Sequence, residues 1–571
     1  MGGVKAPKDP EKKQQGFYII HNKEVFGTRQ PDGRGIHYIY EDNGRLINSA
    51  GLSGNIQDER ILECLKTAEG FRSLVHSIGV CIETKEYGIP VEFVFQMYGK
   101  KDIYGGGTVI SKKILGDGME YKIPLSEVAW SEDDKEPGQI QFCFEKPETM
   151  AKASVRLYVN EGFQVPEEEM EEPINLDGED ARKMLERSLM SIGNPFRLKK
   201  VIEKARKGEE VTLAYIGGSI TQGAGAVPIN TECYAWKSCC AFAKRFSKEN
   251  RVNFIKAGVG GTPSELGMLR FERDVLRQGE QPDLVVIEFA VNDEGDETKG
   301  ICYESLVRKV LGLPWSPAVV LLFSVFANDW NLQERLSPIG EHYQLPMVSV
   351  LDAVSPQFGL KPEEGRVITK NQYFYDMFHP TNEGHTVMAQ CLAYLFEVVA
   401  HGESGQDDSR KNIFDIPPIL GKTFEHIRFF DRKDLYDGAE IMEGSFHDTD
   451  VDLQAVEMDM DTEGTLEFPY NWQYNGENWS GKEVKPFRMK IFCKNLVLVF
   501  KDSGAVCAGK AKVLVDGEHV YTADPLVNGW THCNAKILFE EQESREHIVE
   551  IQMEQGEESK KFTILGFGYV I

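Results

Sequence analysis

The middle of the chain contains short, almost continuously apolar segments that alternate with amphipathic helical segments. The apolar segments are Val211–Ile216, Val252–Ala257, Asp283–Val291, Ala318–Phe326 and Met347–Leu351. Strands without polar alternation are typical of a parallel sheet that helices cover on both faces. A helical segment over Thr386–Val399 closes this part of the chain. The alternation therefore predicts a doubly wound α/β domain with five strands across residues 186–402.

Residues 1–185 and 403–571 have a different pattern, in which short alternating strands are separated by Gly, Asp and Pro clusters. In the first region these strands are Val91–Met97, Gln139–Phe144 and Ala153–Val159. In the second, Lys512–Ala523 places Asp-Gly between two strands, which indicates a β-hairpin. We expect a β-sandwich (jelly-roll-like) domain on each side of the α/β domain. The acidic stretch 166–180 is interpreted as a solvated linker.

The charge of the chain restricts its partners. It has 64 Lys and Arg against 90 Asp and Glu, a formal net charge of −26. This surface repels phosphates, so nucleic acids and anionic membranes are not expected partners. The start of the chain has no apolar signal core, and the eleven cysteines contain no C-x-x-C pair. We therefore expect a cytoplasmic protein with free thiols, and a homo-oligomer is possible.

Three small motifs follow the first three predicted strands of the α/β region. They are Gly217-Gly218-Ser219-Ile220-Thr221, Ala257-Gly258-Val259-Gly260-Gly261-Thr262 and Ala290-Val291-Asn292-Asp293. Loops at the carboxyl ends of parallel strands line the ligand crevice of such domains. The first motif exposes Ser219, the second offers a glycine N–H, and the third offers the carboxamide of Asn292. Each motif alone is more typical of a tight turn or a helix start.

A fourth motif, Asp376-Met377-Phe378-His379-Pro380, precedes the closing helix. A carboxylate three residues before a histidine can accept a hydrogen bond from Nδ1–H and leave Nε2 free as a base. Alone, this arrangement is also common at caps and surfaces. In combination, the four motifs are far more specific than any one of them.

The order and placement of the four motifs resemble the SGNH hydrolase superfamily, the GDSL-type esterases. The resemblance implies a flavodoxin-like three-layer α/β/α core. It implies that Ser219 is the nucleophile, that His379 is the general base and that Asp376 orients the histidine. It further implies an oxyanion hole made of the Ser219 N–H, the Gly261 N–H and the Asn292 side chain. No cofactor and no metal ion are implied.

The resemblance covers residues 186–402, and the sequence departs from the family pattern at three positions. Gly218 and Ile220 replace the usual Asp and Leu, and Lys256 replaces the usual Asn. None of these positions performs the chemistry. The Gly-Gly-Ser-Ile-Thr form is similar to that of several carbohydrate esterases, so we treat these departures as subfamily differences.

The resemblance implies a serine esterase that works through an acyl-enzyme. Flanking β domains are similar to those of multidomain carbohydrate acetylesterases. We therefore expect removal of O-acetyl groups from a plant-type polysaccharide or oligosaccharide of the xylan or mannan type, as an acetylxylan esterase does. Aromatic side chains for sugar stacking are Trp330 and two clusters, 468–474 and 478–479, although sandwich-core packing explains the clusters as well.

Three other interpretations stay open. The first is a lipid-directed SGNH esterase, namely a lysophospholipase or thioesterase. The second is a non-catalytic glycan-binding or structural protein. The third is a metal enzyme that uses the acidic residues 293–297 or the pair His379 and His385. Neither set has a known metal-ligand spacing, so solvated carboxylates and a His385 on the closing helix are expected.

Overall fold

The computed structural model describes residues 15–28, 35–36, 43–168, 170–248, 251–277, 279–408, 411–477, 479–481 and 483–571. Along the chain, a β-rich domain is followed by an α/β domain and then by a second β-rich domain. This order confirms the predicted fold class.

The N-terminal domain consists of two antiparallel four-stranded sheets with one core between them. The sheet orders are β1-β8-β3-β6 and β2-β7-β4-β5. Its strands are β1 (Gly16–Phe26), β2 (Gly35–Ile36), β3 (Val75–Thr84), β4 (Pro90–Gly99), β5 (Val109–Leu115), β6 (Asp117–Pro124), β7 (Asp134–Phe144) and β8 (Met150–Val159). The large core side chains include Phe71, Phe93, Phe95 and Phe142.

The same domain contains helices that the β-rich interpretation missed. They are α1 (Asn43–Ser53), α2 (Glu59–Cys64) and α3 (Ala68–Leu74). Asp58 accepts a hydrogen bond from the Arg60 N–H, and Thr67 accepts one from the Gly70 N–H, so both residues cap the helices that follow. These two caps are the local signals for α2 and α3 that the strand pattern obscured.

The α/β domain has a six-stranded sheet with helices on both faces. Its strands are β9 (Leu189–Ser191), β10 (Val211–Gly217), β11 (Val252–Gly258), β12 (Leu284–Glu288), β13 (Ala318–Phe323) and β14 (Met347–Ser349). Its helices are α4 (Glu179–Ser188), α5 (Phe196–Arg206), α6 (Ser219–Gln222), α7 (Ile229–Glu232), α8 (Tyr234–Phe246), α9 (Ser264–Phe271), α10 (Ile301–Leu311), α11 (Gln333–His342), α12 (Val350–Phe358), α13 (Lys370–Tyr373) and α14 (Asn382–His401).

The strand order is β11-β10-β12-β13-β14-β9, and the first five strands are parallel as predicted. The sixth, β9, is an antiparallel edge strand of three half-buried residues, too short for a periodic signal. The predicted fifth strand ends early, at Ser349, because the Ser349 hydroxyl caps α12 by accepting the Asp352 N–H. Strand β11 lies on one side of β10, whereas β12 and the strands after it lie on the other side. The strand order therefore reverses at β10, and a crevice opens at the carboxyl end of this strand.

The junction between the first two domains differs from the predicted linker. Helix α4 packs against α12 and α14, with Met184 and Leu185 in the α/β core, so the α/β domain begins before residue 186. Glu171, within the acidic stretch, accepts hydrogen bonds from the Thr369 hydroxyl and from Asn371 Nδ2 at 2.5 and 3.0 Å. This part of the stretch is bound to the α/β domain because its carboxylates have fixed donors.

The C-terminal domain is built around the long antiparallel ribbon of β20 and β23. Strands β16 and β21 pair with one half of this ribbon, whereas β24 pairs with the other half and carries β15 and β19. The strands are β15 (Arg428–Phe430), β16 (Ala439–Met442), β17 (Ala455–Val456), β18 (Thr465–Leu466), β19 (Trp472–Asn475), β20 (Phe487–Asp502), β21 (Ala511–Val515), β22 (Glu518–Ala523), β23 (His532–Met553) and β24 (Lys561–Val570). The predicted hairpin is β21–β22, with Asp516 and Gly517 at φ 53° and 85° as a type I′ turn requires.

The C-terminal and α/β domains share one apolar core. Val499 of β20 and Leu565 of β24 join Leu266 and Leu269 of α9 in a single buried cluster. The approach is closest at Gly568, where an added Cβ atom would lie 2.3 Å from Leu269 Cδ2. The two domains therefore meet as tightly as the layers of one domain do.

All eleven cysteines are free thiols, and burial raises the pKa of Cys391 to about 12. Among the helices of the described residues, none has the length and apolarity needed to cross a membrane.

Candidate active site

Ser219 lies where β10 turns into the short helix α6, at the crevice that the topology creates. An added Cβ atom on Gly217 would lie 2.4 Å from the Glu288 carbonyl oxygen, and one on Gly218 would lie 2.3 Å from Asn292 Oδ1. Both glycines are therefore required by close packing rather than by φ alone. Ser219 itself is partly exposed, and its N–H has no acceptor among the residues that the structure describes.

Asp376 and His379 lie on a tight loop between α13 and α14, which we call the histidine loop (residues 374–381). The Tyr375 N–H donates to the His379 carbonyl at 2.7 Å, and the Thr381 N–H donates to the Tyr373 carbonyl at 2.8 Å. These bonds close the loop at its base. At its tip, Asp376 Oδ1 accepts the N–H of His379 at 2.8 Å.

The structure brings the three predicted side chains into one chain of hydrogen bonds. Asp376 Oδ2 lies 2.9 Å from His379 Nδ1, and His379 Nε2 lies 2.9 Å from Ser219 Oγ. With the proton on Nδ1, the ring donates to the carboxylate and Nε2 accepts the hydroxyl proton. This arrangement can produce an alkoxide-like nucleophile at Ser219.

The protonation state of Asp376 suits this arrangement. Burial alone would raise the pKa of its carboxyl, but His379 and the backbone N–H groups of Phe378 and His379 hold that pKa below its ordinary value of 3.8. The carboxylate therefore stays ionised at neutral pH and favours the tautomer in which His379 Nδ1 carries the proton.

The predicted oxyanion donors lie beside Ser219. The Gly260 N–H is occupied, because it donates to Gln222 Oε1 at 2.9 Å. The Gly261 N–H has no acceptor in the described part of the chain, and Gly261 has a φ of 71°. Asn292 is partly exposed, and its side chain lies against Gly218, the residue before the serine. Gly261 and Asn292 thus lie at the crevice beside Ser219, and their role as oxyanion donors stays a prediction.

A buried carboxyl joins the loops that carry these two donors. Asp293 Oδ1 accepts the Ser264 N–H at 2.8 Å, and Oδ2 accepts the Ser264 hydroxyl at 2.7 Å. Burial raises the pKa of Asp293 to about 7. The two residues of the Asn-Asp pair therefore make different contacts, since Asn292 lies against Gly218 and Asp293 fixes the loop.

A buried guanidinium holds two strand ends, one before Ser219 and one before residues 259–262, which we call the glycine loop. Arg270, which is 1% exposed, donates to the Gly217 carbonyl and to the Ala257 carbonyl, both at 2.7 Å. Asp274 accepts from the same guanidinium at 3.1 Å. The sequence analysis missed Arg270, since a single arginine on an amphipathic helix carries no local signal.

A second buried carboxyl, Glu288, lies at the carboxyl end of β12 beneath the site. It accepts hydrogen bonds from the hydroxyls of Thr221 and Ser324. Burial raises the pKa of Glu288 to about 7, and the two hydroxyls and the charge of His379 limit the rise. This residue was also missed, because it stands inside an apolar strand segment.

The C-terminal domain reaches the glycine loop. An added Cβ atom on Gly261 would lie 2.6 Å from Trp530 Cζ2, and Gln454 Nε2 donates to the Gly260 carbonyl at 2.9 Å. Trp530 stacks on His532 with ring centroids 4.3 Å apart and remains 44% exposed. An accessible indole therefore borders the predicted oxyanion donor, and the sequence analysis did not single it out.

The predicted aromatic clusters have divided positions. Trp472 and Tyr474 are buried in the core of the C-terminal domain, and Phe468 is buried in the core that this domain shares with the α/β domain, whereas Tyr470 and Trp479 are exposed. Asn478 lies outside the described residues.

Trp330 is close to the site and is connected to the histidine loop through other aromatic rings. It stacks on Phe326 at 5.7 Å, Phe326 contacts the edge of Phe378 at 5.0 Å, and Phe378 precedes His379. Phe378 is the 40% exposed member of this series. The role of Trp330 in substrate binding stays a prediction, and Phe378 is the aromatic residue nearer to the base.

Two of the acidic residues 293–297, Asp293 and Asp296, are fully buried rather than solvated as expected, and Glu297 pairs with Lys536. Asp296 accepts the N–H groups of Thr298 and Gly300 at 2.7 and 2.6 Å, before α10. His385 lies on α14 as expected, fully buried, and burial lowers its pKa to about 3. Its Nδ1 accepts the Tyr234 N–H at 3.2 Å, so it is a packed neutral imidazole.

Comparison with known proteins agrees with this geometry. Residues 215–387 match the GDSL-like lipase/acylhydrolase family. No curated protein matches the chain. Among solved structures, a two-domain esterase (CEX) active on acetylated mannans is 27% identical, covers 67% of this chain and 98% of its own, and superposes with a TM-score of 0.56. The same esterase co-crystallized with mannopentaose matches with 27% identity and a TM-score of 0.55, over 67% of this chain and 97% of its own.

Proposed function

We propose that this chain, whose residues 215–387 form a GDSL-like lipase/acylhydrolase domain, is a serine esterase that removes O-acetyl groups from a mannan-type or xylan-type glycan. One observation carries the esterase assignment. The Asp376 carboxylate, the His379 imidazole and the Ser219 hydroxyl form a continuous hydrogen-bond chain with 2.9 Å at each step.

The mechanism follows from this chain. His379 Nε2 takes the Ser219 proton as Oγ attacks the ester carbonyl carbon. The negative charge then develops on the carbonyl oxygen, where the N–H groups of Ser219 and Gly261 and the Asn292 amide donate to it. The imidazolium returns the proton to the departing sugar oxygen, and the acetyl group remains on Ser219.

The second half-reaction repeats these roles with water. His379 takes a proton from water as it attacks the acyl carbonyl, acetate leaves, and Ser219 regains its proton. Asp376 stays ionised throughout and stabilises the imidazolium that forms in each half-reaction. Because Arg270 and Asp293 fix the surrounding loops, the donors need little reorganisation as charge develops.

Two features support a carbohydrate as the alcohol component. Exposed rings border the crevice on two sides, with Trp530 beside Gly261 and Phe378 beside His379. Flat aromatic faces suit the apolar faces of sugar rings. The net charge of −26 also favours a neutral glycan over a phospholipid. The similarity to an esterase active on acetylated mannans makes acetylated mannan the first substrate to test.

The test compares acetate release from acetylated mannan and acetylated xylan oligosaccharides by the unaltered chain and by Ser219→Ala. We expect turnover of at least one glycan, and a loss of about 10³-fold or more in Ser219→Ala because nucleophile and base act as a unit. Ser355→Ala is the matched control, since among the described residues the Ser355 hydroxyl bonds to the exposed Asp329 carboxylate alone.

A second comparison addresses lipid substrates. The acetyl and octanoyl esters of 4-nitrophenol are hydrolysed in parallel, and we expect a higher kcat/KM for the acetyl ester. Preference for the octanoyl ester, with no acetate released from either glycan, would replace the carbohydrate assignment by a lipid-directed one. Full activity in Ser219→Ala would remove Ser219 from the mechanism.

A further inference from the structure

The N-terminal domain places a buried lysine against the histidine loop. Lys23 lies on β1 and is 2% exposed. Its Nζ donates to the carbonyls of Asn371 and Phe374, both at 2.5 Å. Phe374 is the first residue of the histidine loop, two positions before Asp376, so the ammonium holds the arm from which the carboxylate projects.

The neighbouring residue of β1 contacts the other arm. Glu24 accepts a hydrogen bond from Asn382 Nδ2, and Asn382 is the first residue of α14, after the loop. Asn382 Oδ1 in turn accepts the Val227 N–H at 2.7 Å. In addition, Tyr375 packs against the N-terminal core. Two consecutive residues of one β-strand therefore grip both ends of the loop that carries the base.

A buried ammonium is an unusual choice if stability alone is required. Desolvation of a charge costs several kcal/mol, and a well-packed apolar residue is often at least as stabilising. Burial lowers the pKa of Lys23 to about 8, and the carboxylates of Glu171, Glu383 and Asp376 offset part of this effect. The ammonium thus remains charged at neutral pH and is directed at two backbone carbonyls that no apolar side chain could hold.

A cavity beside Lys23 contains other lysines with which Lys23 can be compared. It lies between the N-terminal and α/β domains, and its lining includes Lys152, Lys237 and Glu383. Lys152 lies on β8, is exposed, and has no hydrogen bond to the histidine loop among the described residues. Of the three lysines of this cavity, Lys23 contacts the histidine loop, Lys237 donates to the Asn382 carbonyl just after the loop at 3.3 Å, and Lys152 contacts neither.

We propose that Lys23 is a positioning residue, through which the N-terminal domain sets the position of Asp376 and His379 relative to Ser219. This inference rests on the proposed function, in which His379 is the base for Ser219. It gives the N-terminal domain a part in turnover rather than in glycan binding. An ammonium that fixes the first arm limits the distance over which Nε2 can move from the serine hydroxyl.

The test uses the full chain with Lys23→Met, which keeps the length of the stem and removes the donor. We expect kcat for 4-nitrophenyl acetate to fall about 10- to 100-fold with KM changed less than about threefold, because small misplacements of a base have effects of this size. Lys152→Met, which removes the same charge from the same cavity, leaves kcat within about twofold. Equal values for Lys23→Met and the unaltered chain would overturn the proposal.

Two further measurements separate positioning from folding and from the proposed function. The low-field proton resonance of His379 Nδ1–H, assigned by its loss in Asp376→Asn, should shift or broaden in Lys23→Met but not in Lys152→Met. This readout needs no substrate. If the unaltered chain is inactive on every ester and Lys23→Met still shows this shift, the esterase assignment is contradicted and the role of Lys23 is not. An unchanged resonance would overturn that role.

If Lys23→Met does not fold, Lys23→Ala takes its place and is assayed with and without propylammonium, which replaces the missing stem and ammonium. Recovery of at least about fivefold in kcat supports positioning by the cation. No recovery, together with a resonance like that of the unaltered chain, would assign Lys23 to stability alone.

Discussion

The carboxamide of Asn292 occupies the space in which a Cβ atom on Gly218 would lie. That atom would be 2.3 Å from Oδ1 and 2.6 Å from Nδ2, both shorter than any tolerated contact. The glycine that replaces the aspartate of the usual family motif therefore allows the amide to approach Ser219. This relationship gives a structural reason for one of the departures that were interpreted from the sequence as subfamily differences.

We expect Gly218→Ala to lower kcat for an acetyl ester by about 10²-fold, the usual effect of losing one oxyanion donor, because the methyl group displaces the Asn292 amide. Asn292→Ala should lose a similar factor. The double variant should lose no more than either single variant, since both changes remove the same hydrogen bond. Multiplicative losses in the double variant would show that Gly218 acts independently of Asn292.

Asp376→Asn should lower kcat by about 10²–10⁴-fold at neutral pH, because the amide favours the tautomer with the proton on Nε2. A pH-rate measurement on both chains checks this.

The ionised Asp376 carboxylate should also make the stability of the folded chain depend on pH. The pKa of Asp376 is held below its ordinary value of 3.8, so the stability that its ionised form contributes is present above that value and is lost as the pH falls through the lowered one. The unaltered chain should therefore exceed Asp376→Asn in unfolding free energy at pH 7 by more than at pH 3. A constant difference would contradict the ionised assignment.

Glu288→Gln should flatten the dependence of stability on pH. The folded pKa of Glu288 is raised from 4.5 to about 7, so its contribution is fully present below 4.5 and is lost as the pH rises through about 7. The unaltered chain should lose roughly 2–3 kcal/mol more than the variant between pH 5 and pH 8, as measured by urea unfolding. Glu294→Gln, at an exposed position, is the control and should keep the dependence of the unaltered chain.

Trp530→Ala should impair glycan substrates selectively. Loss of a stacked ring costs about 1–1.5 kcal/mol, so kcat/KM for an acetylated mannan oligosaccharide should fall roughly tenfold. The value for 4-nitrophenyl acetate, which does not reach a second sugar site, should stay within about twofold. Trp479→Ala, which removes an exposed indole of the predicted aromatic cluster, should change neither value. Equal losses on both esters would mean that Trp530 only supports Gly261.

The parts of the site that local patterns encode could be predicted. Ser219, Gly261 and Asn292 follow strands whose carboxyl ends must meet at one edge of a parallel sheet. The spacing of Asp376 and His379 predicts a hydrogen bond between the carboxylate and the imidazole. Their order along the chain therefore sufficed to place them in one crevice before any contact was known.

The supporting residues could not be predicted in this way. Lys23, Arg270 and Trp530 act on partners that are distant in sequence, and each is an ordinary residue of its own strand, helix or loop. Glu288 was concealed because its strand is apolar on both sides. The helices α2 and α3 were missed for a different reason. They are short, and they lie in a region whose sequence pattern is mostly that of strands.

The contact between Leu269 and Gly568 limits how far this chain can be shortened. The second β-rich domain contributes Val499 and Leu565 to the buried cluster around α9. A recombinant fragment that ends near residue 402 would therefore expose apolar side chains of this cluster to solvent and would tend to aggregate. Residues 411–571 should therefore be kept in any shortened form of the chain that is meant to retain the candidate active site.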